Sequence, residues 1–143
     1  MKISRMETAD LPAVTLLAEQ LGYPSNLQNV SERFNKISSH HDYALFVAKS
    51  DTKEIIGWIQ INKETMSLID DAHAEVAALV VNENFRGHGI GKSLLQTAEA
   101  WAKENQIKVI RLRSNMKRTD AHRFYLREGY ETSKTSNLFT KLL

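Results

Sequence analysis

Apolar positions recur along the chain at two periods, and the switches between those periods predict its elements. Residues 2 to 6 read as a short first strand. Leu11, Val14, Leu17, Ala18 and Leu21 then fall at helical spacing, with Thr8 or Asp10 as the cap, Pro12 in the first turn and Gly22 as the stop. Residues 25 to 39, with Leu27, Val30, Phe34 and Ile37, predict a second, more polar helix. Residues 43 to 49 and 55 to 62 read as strands joined by the turn Ser50-Asp51-Thr52-Lys53, which makes a hairpin. Residues 72 to 81 are apolar on both faces, as in a central strand. A helix over 90 to 104 follows, its apolar face built from Ile90, Leu94, Leu95, Ala98, Trp101 and Ala102. Residues 108 to 113 predict another strand, Thr119 or Asp120 caps a short helix running to Gly129, and residues 130 to 143 read as a final pair of strands or a bent ribbon.

The order β, α, α, β, β, β, α, β, α, β, β predicts an α/β fold, a mixed sheet with helices on both faces. No repeat or linker interrupts it, only the stretch 63 to 71 reads as a loop, and 143 residues suit one domain spanning 1–143. The charged fraction of 25% and hydrophobic fraction of 42% are those of a globular protein. No apolar run approaches a membrane span, and the start Met-Lys-Ile-Ser-Arg-Met-Glu has no apolar signal core, so the expected location is cytoplasmic. A formal charge of +2 without a basic aromatic face argues against nucleic acid as a partner. With no cysteine, disulfides, thiolate metal sites and an acyl-cysteine intermediate are excluded.

Candidate chemistry concentrates in the run 84 to 95, Asn-Phe-Arg-Gly-His-Gly-Ile-Gly-Lys-Ser-Leu-Leu, between the central strand and the third helix. Glycines at 87, 89 and 91 let the backbone turn tightly and bring consecutive N–H groups to a ligand, while the helix start adds unpaired amides and a positive dipole end. That is a cradle for a pyrophosphate. The P-loop spacing fails, because glycine is needed where Arg86 stands. The dinucleotide spacing fails too, because glycine is needed where Lys92 or Leu94 stands.

The pattern [QR]-x-x-G-x-[GA], met by Arg86, Gly89 and Gly91, resembles the acetyl-coenzyme A loop of the GNAT superfamily of N-acetyltransferases. The run 114 to 130 resembles that superfamily's other signature, N-x-x-A-x-x-F-Y-x-x-x-G-[FY] with variable spacing after the Asn, through Asn115, Phe124, Tyr125, Gly129 and Tyr130. The element order agrees over nearly the whole chain, and the resemblance implies a central, mostly antiparallel twisted sheet. It also implies acetyl-coenzyme A as co-substrate. Leu79, Val80 and Val81 would offer backbone amides to its pantetheine arm and the forming oxyanion, and Arg86, Gly87, His88, Gly89, Ile90, Gly91, Lys92 and Ser93 would surround its pyrophosphate. Asn115 would be a cofactor-side contact and Tyr125 the proton donor to the departing thiolate. A phenol with an ordinary pKa of about 10 is protonated at neutral pH and suited to that role. The other reading of Tyr125 is a core aromatic beside Phe124.

Strand alternation over 72 to 81 puts Ala74, Val76, Ala78 and Val80 on one face and His73, Glu75, Ala77, Leu79 and Val81 on the other. Glu75 is the carboxylate among them. It reads either as the base that takes the amine's proton through water or as half of an ion pair with a nearby arginine, and the family often has an acid at this place. Residues 115 to 131 look especially like the aminoalkylphosphonate N-acetyltransferases, which makes a small anionic amine the sharpest acceptor. Arg33, Lys36, His40, His41 and Arg113 are the cations by position, with Arg33 and Arg113 the substrate candidates. The other acceptors are an aminoglycoside, a polyamine, an amino acid, or a protein N-terminus or lysine; a different class is a non-catalytic acyl-coenzyme A binding module. His40-His41-Asp42 also reads as metal ligands, against which adjacent histidines before a strand are expected to point apart into solvent; no metal is assigned. Leu138, Phe139 and Leu142 read as a last strand, at an edge where it mediates a homodimer or in the core.

Overall fold

A computed structural model describes residues 1–114 and 116–143. Its contacts fall into two compact units, Met1–Arg113 and Ser114–Leu143, each described here by itself.

In the first unit, strands β1 (Lys2–Arg5), β2 (Tyr43–Lys49), β3 (Ile55–Glu64), β4 (His73–Val81) and β5 (Ile110–Leu112) form one sheet in that order. The first four pair antiparallel and β5 runs parallel to β4, so the sheet is mixed. Helices α1 (Leu11–Gln20), α2 (Leu27–Ile37) and α3 (Ile90–Glu104) complete this unit. Each starts or stops where a side chain or a glycine demands it. The Asp10 carboxylate accepts from the Glu7 N–H at 2.8 Å just ahead of α1, and the Asn26 side chain accepts from the Asn29 N–H at 2.8 Å to cap α2. Gly22 takes φ +90° after α1, a left-handed bend that a residue with a Cβ resists.

Residues that pair across a ladder share a face, so the register assigns the layers. Leu45, Val47, Trp58 and Val80 look toward α1 and α2, and with Leu11, Val14, Leu17 and Phe34 they make the core on that side. Gly57, Ile59 and Ile61 look the other way, toward α3, whose Leu94, Leu95 and Ala98 are buried. Helices therefore cover both faces, as the element order predicts.

Three expectations change. First, β4 does not alternate regularly: Gln60 pairs with Ala78 and Ile61 with Val76, which leaves Ala77 as the extra residue of a β-bulge. A one-residue slip exchanges the faces beyond it. Glu75 thus shares the α1/α2 face with Ala78 and Val80, while Leu79 and Val81 join Ala74 and Val76 on the α3 face. Second, β5 holds only three residues rather than the expected 108 to 113.

Third, in the second unit, which holds α4 (Thr119–Arg127), residues 130 to 143 form no strand. A strand is stable only within a ladder, and residues 131 to 137, Glu-Thr-Ser-Lys-Thr-Ser-Asn, supply no apolar side chain to bury on one. Leu138, Phe139 and Leu142 are 93%, 89% and 94% exposed, so neither a core role nor an edge strand describes them.

Leu17 is 4% exposed in the α1/α2-side core. Leu17→Ala is expected to lower unfolding free energy by about 2–5 kcal/mol, the cost of a buried cavity; denaturant titration checks it.

Candidate active site

The turn from β4 into α3 is pinned at its entry. The Asn82 N–H donates to the Ile56 carbonyl at 2.8 Å, and its side-chain oxygen accepts from the Asn84 N–H at 3.0 Å. After a short 3-10 turn, Glu83–Phe85, the backbone bends left-handed twice, at Gly87 (φ +83°) and Gly89 (φ +78°). Gly91 has no such bend: it lies inside the first turn of α3, so two of the three glycines shape the loop. Gly89 is the N-cap and offers no side chain to the helix, and the first intrahelical bond is Ser93 N–H to Gly89 carbonyl. The amides of Ile90, Gly91 and Lys92 therefore have no acceptor within the helix. Buried Ile90 anchors this end while Arg86, Gly87, His88, Gly89 and Lys92 are exposed around it. Unpaired amides, a helix dipole and two cations together favour an anion.

Beside this turn, β4 carries an open flank. β5 pairs only with Ala74, Glu75 and Val76, so no strand among the described residues lies along residues 77 to 81 on that side. Because the Asn82 N–H donates to Ile56 of β3, alternation turns the backbone groups of Val80 toward β3 as well, and only Leu79 and Val81 present theirs on the open flank; Val80, expected to offer an amide, is taken up by β3.

At the other end of β4, Glu75 forms an ion pair with Arg113, its side chain 19% exposed against 72% for the arginine. Arg111 grips Asp70 with two bonds, 2.6 and 3.2 Å, and its first nitrogen lies 3.5 Å from His73 Nδ1. Those hydrogen bonds hold the Asp70 carboxyl below the ordinary carboxylate range and Arg111 above its ordinary value. Of the two substrate candidates, Arg113 is therefore already engaged by Glu75.

Arg33 stands elsewhere. Between α1, α2 and the sheet lies a cavity of about 460 Å³, walled by Val14, Tyr23, Phe34, Trp58, Gln60 and Ala78 among others, with Arg33 as its cation. Among the described residues no Asp or Glu lines it. Arg33 is exposed and makes no ion pair among the described residues. Gln60 is held by its amide nitrogen donating to Asn62 at 3.0 Å, and the Trp58 indole nitrogen is buried without a hydrogen-bond partner. Trp58, Gln60 and Tyr23 are wall residues that sequence reasoning does not single out. Alternation groups Trp58 with Gln60, but which helices cover that face is a tertiary matter.

His40 and His41 line a separate cavity of about 470 Å³ with Arg5, Tyr43 and Glu104. Their rings do not point apart as expected; they stack, 5.3 Å between centroids. Among the described residues no three His, Asp or Glu side chains form a group able to hold a metal ion.

In the second unit, Tyr125 sits on α4, its ring 5.2 Å from that of Phe124 and 6.2 Å from that of Tyr130. Burial pushes its phenol above the ordinary value, with the Arg118 charge pulling the other way. Asn115 lies outside the described residues.

The model of the family described as Acetyltransferase (GNAT) family matches residues 11–130. Over 90 residues the chain is 40% identical to the aminoalkylphosphonate N-acetyltransferase of Salmonella typhimurium (strain LT2), covering 63% of this chain and 57% of that protein. Thus the matched part spans little more than half of that relative's length. A GNAT family acetyltransferase from Staphylococcus aureus superposes with a TM-score of 0.79 at 29% identity, covering 99% of this chain and 98% of that one. AAC(6')-Iy, solved with the bisubstrate analog CoA-S-monomethyl-acetylneamine, superposes at 0.88 over 99% and 98% of the two chains; at 16% identity that likeness is one of fold. No helix among the described residues is long and apolar enough to cross a membrane.

Tyr125 is expected to titrate above the ordinary tyrosine midpoint of about 10, so its proton is retained through the neutral range and lost only as pH rises past that raised value. Phenolate absorbance of the protein minus that of Tyr125→Phe checks this; a difference midpoint at or below about 10 contradicts it.

Proposed function

The chain belongs to the acetyltransferase (GNAT) family, and from that premise we propose that it moves an acetyl group from acetyl-coenzyme A directly to a small primary amine bearing an anionic group. An aminoalkylphosphonate is the sharpest version of that acceptor. The observation that carries the acceptor is the cavity between α1, α2 and the sheet, which has Arg33 as its cation and no carboxylate in its wall. A cationic amine placed there meets no counter-charge, whereas a phosphonate meets a guanidinium with several donors for its oxygens. The Salmonella relative's name states the same acceptor class.

Bound acetyl-coenzyme A supplies an activated thioester and a pyrophosphate. Toward the pyrophosphate, the chain presents the unpaired amides of Ile90, Gly91 and Lys92, the bend at Gly87, His88 and Gly89, Arg86, and the Lys92 and Ser93 side chains. Toward the pantetheine arm, the open flank of β4 at Leu79 and Val81 offers backbone groups in the manner of an added strand. A β4 amide near Leu79 steadies the oxyanion formed when a neutral amine attacks the acetyl carbonyl. With no cysteine to carry the acyl group, transfer is direct or uses another nucleophile, and direct attack is the reading adopted.

As the tetrahedral species collapses, the C–S bond breaks and Tyr125 gives its proton to the leaving sulfur. Burial of the phenol supports this assignment, because a raised value keeps the proton available throughout the neutral range. Glu75 takes the proton released by the nitrogen through water, with Arg113 holding its carboxylate. Asn115 is assigned to the cofactor side by its place in the second signature.

Free-thiol release from acetyl-coenzyme A tests this reading against aminomethyl- and aminoethylphosphonate, an aminoglycoside, a polyamine and a lysine peptide. Turnover is expected on the phosphonates. Arg33→Ala is expected to raise KM for a phosphonate about tenfold or more, the worth of about 1.5–3 kcal/mol for a charged hydrogen bond. Tyr125→Phe is expected to lower kcat by about 10²–10⁴ with little change in either KM. Turnover confined to the aminoglycoside or the polyamine overturns the anionic acceptor. Coenzyme A binding with no turnover on any amine overturns catalysis and leaves a binding module.

A further inference from the structure

Gly57 lies in β3, paired with Ala48 on one side and Val81 on the other, and looks toward α3. Its φ is not left-handed, so the backbone conformation does not call for glycine. Space does. A Cβ at this position would stand 2.9 Å from the Val80 carbonyl oxygen, 3.1 Å from Leu94 Cδ1 and 3.2 Å from Ile90 Cγ2. The first of these is a backbone atom and the other two belong to side chains 4% exposed or less, so none can swing aside.

These contacts join two elements that matter separately. Ile90 opens α3 directly after the Gly89 bend, and Leu94 lies one turn further on, so their approach to Gly57 sets where the unpaired amides of the first turn stand. Val80 lies between Leu79 and Val81, whose backbone groups face the open flank of β4, so a shift at the Val80 carbonyl moves that flank. The neighbouring residue, Ile56, accepts from the Asn82 N–H at the entry to the intervening turn. Both ends of the loop are thereby registered on the same two residues of β3.

We infer that Gly57 is a positioning residue: the absent side chain sets the spacing between the β4 flank and the first turn of α3, and so the affinity for a pyrophosphate-bearing acyl donor. The inference rests on the reading of these two elements as the acetyl-coenzyme A site. A pantetheine arm and its pyrophosphate are covalently linked, so a binding surface for both must hold one separation. A methyl group inserted between the strand and the helix changes that separation by a few tenths of an ångström or more.

The test uses the full chain, with coenzyme A affinity from calorimetry and steady-state KM for acetyl-coenzyme A and for the amine. Gly57→Ala is expected to weaken coenzyme A and raise KM for acetyl-coenzyme A on the order of tenfold or more, with the amine KM within about twofold. Leu94→Phe crowds the same contact from the helix side while keeping Gly57, and is expected to move the same two quantities; it carries the test if Gly57→Ala does not fold. Leu17→Ala, destabilised in the core on the opposite face of the sheet, is expected to leave coenzyme A affinity unchanged. Wild-type affinity in Gly57→Ala and Leu94→Phe overturns the inference. Equal loss in Leu17→Ala also overturns it, since lost stability alone then explains the effect. Absence of coenzyme A binding by the unaltered protein overturns the reading of the site itself.

Discussion

Strand β4 is held along its whole length by β3 but by β5 over only three residues, and most of what the first unit presents to a ligand follows from that inequality. A flank of backbone that finds no partner strand in an otherwise paired sheet is ready to bond an extended chain of any kind. The bulge at Ala77 falls where the β5 pairing has just ended. It turns Leu79 and Val81 onto the α3 face and keeps Glu75, Ala78 and Val80 on the face of the α1/α2 cavity. One extra residue thus puts Glu75 on the opposite face from Leu79 and Val81.

Charge is distributed with comparable economy. At the sheet end, Arg111 and Arg113 are taken up by Asp70 and Glu75, which ties the loop after β3 and strand β4 to β5. Pairs this exposed contribute little to stability, but they settle which cations remain available. Arg33 remains, at the wall of an apolar cavity that no carboxylate among the described residues lines. In the proposed reaction this asymmetry selects the acceptor: rejection of a cationic amine comes from a missing counter-charge as much as attraction of an anion comes from the guanidinium.

Legibility from the sequence differed by the range of the forces involved. Helix α3 was legible to the residue and its loop in two of three glycines, because apolar spacing, a left-handed bend and a helix start are local properties of the backbone. Helices α1 and α2 depart from the sequence reading only at their ends, and the Asn26 side chain caps α2. The face of Leu79 was not legible. A bulge arises from how residues of two different strands align, as Gln60 with Ala78 and Ile61 with Val76, and no alternation within one strand reveals it. Residues 138 to 142 were apolar enough to suggest a strand, yet their side chains are exposed, since a strand exists only where a ladder accepts it.

The sequence by itself determined the kinds of element from β1 to α4, the glycine bend with its unpaired amides in the β4–α3 turn and the absence of cysteine chemistry, because each rests on backbone sterics, dipoles or residue type. Tertiary structure alone decided that Glu75 meets Arg113, that Arg33 meets the cavity, and that Gly57 lies under the first turn of α3. Those are contacts between residues far apart in the chain, and their geometry is set by strand register and by the packing of one layer on another rather than by any neighbour in sequence.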